Sequence, residues 1–102
     1  MKQKISVLSL AQNDLKEIHD YLSVFGGKPP QKLKESFKKF CGQVSDMPYM
    51  FSEYRYNPKY RCAPLAYSYL VFYSVDIKKN TVKVYRILHD KRNLLAIFDE
   101  SD

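Results

Sequence analysis

The segment from Tyr67 to His89 constrains the fold more than any other part of the chain. It holds two runs dense in β-branched and aromatic residues, YSYLVFYSVD (67–76) and TVKVYRILH (81–89), separated by the polar Lys78-Lys79-Asn80. Side chains branched at Cβ or carrying rings suit a pleated surface better than a helix. A short polar break between two such runs makes an antiparallel hairpin. A chain of 102 residues has room for one core, so this hairpin is the centre of a single domain spanning residues 1–102, and the remaining elements pack on it.

The first half reads as helical. Ile5, Val7 and Leu8 within Lys4 to Leu8 make a short first strand, and Ser9 followed by Gln12 has the spacing of a capping box. Leu15, Ile18, Leu22 and Phe25 then recur at helical steps, which predicts an amphipathic helix with all four on its inner face. Gly26-Gly27 ends it, and Pro29-Pro30 opens a second helix with the seam Leu33, Phe37, Phe40 and Val44. Lys32, Lys34, Lys38 and Lys39 give that helix a basic outer face. After Ser45-Asp46 and Pro48 the run Tyr49 to Pro58 has no clean period and reads as a loop. Arg61 to Leu65 reads as a short strand, and Leu94, Leu95 and Phe98 predict a short C-terminal helix over one end of the sheet.

Charge narrows the partners. Lys and Arg number 17 against 11 Asp and Glu, a formal net charge of +6, which favours a polyanionic or acidic partner. Cys41 and Cys62 stand in no metal-ligand spacing and read as reduced thiols, so neither a metal nor another cofactor is expected. The N-terminal stretch has neither a long apolar run nor a small-residue cleavage site, which predicts a cytoplasmic protein without a membrane partner.

The order β, α, α, β, β, β with a short final helix, together with Val84-Tyr85-Arg86-Ile87-Leu88-His89-Asp90-Lys91-Arg92-Asn93, resembles the RelE/ParE toxin superfamily over nearly the whole chain. Arg86-Ile87-Leu88-His89 followed by Arg92 and Asn93 is similar to the strand-end signature of ParE-like members, with Asn93 where Asp is common. Arg61 and the Tyr-x-x-Phe-Tyr-x-Val-Asp run from Tyr69 to Asp76 add to the likeness. The resemblance implies an α+β fold: an N-terminal strand, an antiparallel helical hairpin, antiparallel strands forming a curved sheet, and a short C-terminal helix. It implies a basic concave surface opposite the helical hairpin and a cognate antitoxin that wraps the toxin. One branch of the superfamily enters the ribosomal A site and cuts messenger RNA without a metal, through attack of the ribose 2′-hydroxyl. The ParE branch instead poisons DNA gyrase. A nucleic-acid-binding module without toxicity is the third reading.

Metal-free RNA cleavage needs a proton acceptor, a proton donor and cations for the charged phosphorane. His89 and Glu53 are the titratable candidates, with Arg61 as the catalytic cation. Arg86, Lys91 and Arg92 are candidates for holding phosphate or a target surface. Tyr54, Tyr56 and Tyr60 are candidates for stacking on bases. Each has a structural counterpart: a histidine capping a turn, arginines paired to acids such as Asp76 or Asp90, and tyrosines in the core or an antitoxin interface. His19 reads as a partly buried helix residue. The tail after Arg92 lacks the tyrosine or histidine that RelE-like nucleases place there, which tilts the resemblance towards ParE.

Overall fold

The computed structural model describes residues 2–99. In chain order it contains β1 (Lys4–Val7), α1 (Ser9–Tyr21), α2 (Pro30–Asp46), β2 (Glu53–Tyr54), β3 (Asn57–Pro64), β4 (Tyr69–Asp76), β5 (Thr81–His89) and α3 (Leu94–Asp99). The five strands make one sheet in the order β1-β5-β4-β3-β2. This is the expected α+β fold, with one difference in the sheet. β1 lies parallel to β5 while β2 to β5 pair antiparallel, so the sheet is mixed. A parallel neighbour needs a long crossover, and the chain from α1 to β4 supplies it.

The helical hairpin forms for the reasons read in the sequence, with two corrections at α1. Gly27 takes the left-handed conformation (φ 60°) that closes the first arm, and Pro30 sits in the first turn of α2. Leu33, Phe40 and Val44 are buried along α2, with Phe37 packed against them. The capping box is not formed: Ser9 already lies inside α1, and the Gln12 side-chain amide donates instead to the Val7 carbonyl at 2.8 Å. Phe25 does not continue the apolar seam. Residues Leu22–Gly26 form a π-helical turn, which widens the coil and breaks the three-and-four spacing. Leu22 stays buried while Phe25 is left 79% exposed.

The stretch 49–58 is not wholly a loop. Glu53 and Tyr54 pair with β3, and a register shift between them removes the regular alternation that would mark a strand in the sequence. β3 accordingly begins at Asn57 and not at Arg61. β4 begins at Tyr69 and not at Tyr67, because Ala66–Ser68 is a 3-10 turn in which Tyr67 and Ser68 both have positive φ. The polar break before β5 ends on Asn80, also at positive φ, a conformation that asparagine tolerates.

Each face of the sheet buries a separate cluster. Beneath α1 and α2 lie Ala63, Val71, Tyr73, Val82, Val84 and Ile87. On the other face Tyr54, Tyr60, Phe72 and Leu88 gather around Phe98 of α3. On the surface opposite the helical hairpin, the part around Phe98 is occupied by this aromatic cluster and by α3.

Candidate functional site

A cleft lies where the end of β5 meets the C-terminal half of α1. It has a volume of about 400 Å³ and is lined by Glu17, Tyr21, Tyr69, His89 and Arg92 over a floor that includes Ile18, Ile87 and Leu88. A neighbouring hollow of about 160 Å³ shares Tyr21, Tyr69 and His89 and extends to Lys28 and Tyr67.

His89 stands at the junction. Its ring meets Tyr69 edge-on, with centroids 5.0 Å apart. Its Nδ1 accepts the Lys91 amide at 3.1 Å, and Asp90 lies 3.3 Å from the same nitrogen. The turn after β5 is thus closed by His89, whose carbonyl also accepts the Arg92 amide at 3.1 Å. Lys91 and Arg92 are exposed on that turn.

Arg86 is committed elsewhere. Its Nε and a terminal nitrogen donate to the two carboxylate oxygens of Asp14 at 2.8 and 3.0 Å, and the Ile87 amide donates to the same carboxylate at 2.9 Å. The hydrogen bond to Asp14 raises the guanidinium pKa further above its ordinary value. The partner is Asp14 of α1, and neither Asp76 nor Asp90. Asp76 instead pairs with Lys83 at 3.4 Å, while the Lys79 amide and that lysine hold its carboxyl below its ordinary pKa.

Arg61 braces the chain leaving α2. It donates to the Phe51 carbonyl at 2.7 Å and to the Tyr49 carbonyl at 3.4 Å, with its guanidinium 4.9 Å from the centre of the Tyr49 ring. Arg61 pairs with Tyr73 and His89 with Tyr69, four residues apart on β4, or about 13 Å along a strand. Glu53 is exposed on β2, at the opposite edge of the sheet from β1 and separated from β5 by β3 and β4. Three strand spacings come to about 14 Å. The sequence read Glu53 as part of a loop; strand pairing fixes it on β2, away from His89.

The tyrosines divide in the same way. Tyr54 packs against Phe72 and Phe98, and Tyr60 stacks on Tyr85 with centroids 4.4 Å apart and planes 8° from parallel. Both are buried, while Tyr56 is exposed and carries Arg55 over its ring. Burial raises the Tyr54 hydroxyl pKa. Among the described residues no three of His, Cys, Asp and Glu stand together as metal ligands, and no helix is long and apolar enough to cross a membrane. His19 lines a different hollow, beside Leu33 and Phe37.

Sequence reasoning missed Asp14, Tyr21 and Tyr69. Asp14 carried a signal: it sits one turn before Ile18 on the inner face of α1, where a carboxylate requires a partner. Tyr21 and Tyr69 carried none, since their convergence depends on how α1 lies against β5.

Similarity to known proteins agrees with this architecture. Residues 5–94 match the family described as the ParE toxin of the type II toxin–antitoxin system parDE. A mutant of the Escherichia coli toxin RelE in the free state superposes with a TM-score of 0.69 at 17% identity, covering 95% of this chain and 93% of that one. The RelBE2 toxin–antitoxin complex of Mycobacterium tuberculosis gives 0.65 at 20% identity, with 87% of this chain and 99% of that one covered. The chromosomal ParDE system of Pseudomonas aeruginosa gives 0.58 at 18% identity, with coverage of 86% and 96%. Curated proteins yield no match.

Proposed function

Because the chain belongs to the ParE toxin family of type II toxin–antitoxin systems, we propose that it arrests growth by binding DNA gyrase and is neutralised by a cognate antitoxin. The observation that carries this reading is the scattering of the residues that RNA cleavage would need. His89 closes a turn at the end of β5, Glu53 is three strands away, Arg61 braces the loop after α2, and Arg86 is locked onto Asp14. General acid–base catalysis needs its groups within hydrogen-bond reach of one reacting centre. A toxin that works by binding needs no such convergence.

The antitoxin half of the proposal is supported by similar folds solved with antitoxins, including the E. coli RelBE toxin–antitoxin complex. The test compares supercoiling by purified gyrase with messenger integrity in translating cells, each with and without the protein. Gyrase inhibition with intact messenger supports the proposal. Translation-dependent messenger cleavage with unaffected gyrase would move the protein to the ribosome-dependent nucleases.

A further inference from the structure

We infer that the hollow between the turns 47–50 and 77–80 is the surface through which this chain seats on gyrase, taking one bulky apolar side chain of that protein between Tyr49 and Ile77, with carboxylates beside it facing Lys78 and Lys79. This rests on the reading that gyrase is the target.

The hollow has a volume of about 260 Å³, room for one large side chain, and is lined by Gln3, Pro48, Tyr49, Val75, Ile77 and Asn80. Two hydrogen-bonded turns wall it: the Met50 amide donates to the Met47 carbonyl at 3.1 Å, and the Asn80 amide to the Ile77 carbonyl at 3.2 Å. The chain entering β1 joins them, since the Gln3 amide donates to the Ser45 carbonyl at 2.9 Å and the Lys4 amide to the Asn80 carbonyl at 3.0 Å. Both turns give apolar side chains to solvent. Ile77 is 76% exposed, and on the other turn Met47 is 59%, Tyr49 51% and Met50 40% exposed. Large apolar side chains grouped in this way on a surface mark contact sites.

The wall carrying Tyr49 is fixed in advance. Arg61 donates to the carbonyls of Tyr49 and Phe51 and holds its guanidinium 4.9 Å from the centre of the Tyr49 ring. From the core, the Tyr73 hydroxyl donates to the Pro48 carbonyl at 2.9 Å. A side chain ordered before contact loses little entropy on binding, and tyrosine is among the residues that carry most of the energy of an interface.

Charge selects the occupant. Asp46 is offset by Lys2 at 3.9 Å and Asp76 by Lys83 at 3.4 Å. Lys78 and Lys79, exposed on the turn beside Ile77, stand in no ion pair among the described residues. An apolar anchor flanked by carboxylates complements this arrangement. A second copy does not: a two-fold contact sets the same patch against itself, lysines included, and each chain carries +6. The hollow is also distinct from the cleft at His89. On β4, Tyr69 pairs with His89 at one end and Asp76 with Thr81 at the other, about 23 Å away along the strand.

The experiment uses the full chain and purified gyrase holoenzyme, with Kd measured by titration and supercoiling of relaxed plasmid followed in parallel. Tyr49→Ser combined with Ile77→Ser should raise Kd and the half-inhibiting concentration by roughly thirty-fold. Lys78→Glu with Lys79→Glu should raise both by about tenfold and reduce their salt dependence. Val24→Ser, at an exposed site after α1, serves as the control and should change neither. Thermal melting establishes that each variant is folded, and Ile77→Ser alone, at a position already open to solvent, keeps the test valid if Tyr49→Ser unfolds the chain. Folded variants that bind and inhibit gyrase as the wild type does overturn the assignment of this surface and leave the gyrase reading standing. A wild type that neither binds nor inhibits gyrase overturns both. A wild type that sediments as a dimer, with Ile77→Ser sedimenting as a monomer, gives the face to a second copy and overturns the assignment.

Discussion

Asp14 and Arg86, seventy-two positions apart in sequence, form a two-bonded ion pair that ties α1 to the last strand, and the same carboxylate takes the Ile87 amide. β1 runs beside β5 only as far as Val84. Beyond that point Asp14 supplies the acceptor that a neighbouring strand would otherwise give. A carboxylate so enclosed is stabilising only while its donors are present.

Removing one partner should therefore be costly. Asp14→Ala is expected to destabilise the fold by about 3 kcal/mol in urea titration, since it strands a part-buried guanidinium and a backbone N–H. Asp14→Ala with Arg86→Met should recover part of that loss. Equal losses for the double and single variants would show that the guanidinium is not left in difficulty.

Arg61→Ala should cost about 1–2 kcal/mol, because the Tyr49 and Phe51 carbonyls lose their donor. Increased proteolytic cutting between α2 and β2 is the accompanying measurement. Unchanged stability and cutting would argue that Arg61 serves a partner and not the loop.

Phe98→Ala should cost about 3 kcal/mol, since Phe98 is the shared contact of Tyr54, Tyr60 and Phe72. The near-ultraviolet dichroism of the tyrosines should fall in parallel. A variant with full dichroism would mean that the aromatic cluster holds together without α3.

Stability should decline in alkali. Burial pushes the Cys62 thiol up to about 11 from 9.0, and burial also raises the Cys41 thiol and the Tyr73 hydroxyl. The fold retains these protons longer than the unfolded chain does. The stability carried by the Cys62 proton is thus fully present below pH 9.0 and is lost as pH rises through about 11. Denaturant midpoints across that window should fall for the wild type and less steeply for Cys62→Ala. A flat wild-type profile would contradict the partial burial of the Cys62 thiol.

Much of the fold could be read from residues whose reasons are local. The hairpin 69–89, Gly27 closing the first helix and Pro30 opening the second all follow from propensity or from backbone freedom. What escaped has its cause in tertiary structure. Glu53 and Tyr54 join the sheet through an irregular pairing that leaves no period, and Phe25 is turned out by a π-helical turn that helical spacing cannot foresee. The candidate site was legible as an inventory and not as an arrangement. His89 and Arg92 do share a cleft, whereas Arg86, Arg61, Tyr54 and Tyr60 are taken up by packing and bracing.

The most direct test of the central claim is supercoiling of relaxed plasmid by purified gyrase with the protein added, run beside an assay of messenger integrity in translating cells. The account predicts that supercoiling is inhibited in proportion to added protein while messengers stay whole. Full supercoiling together with messenger cut during translation would contradict it.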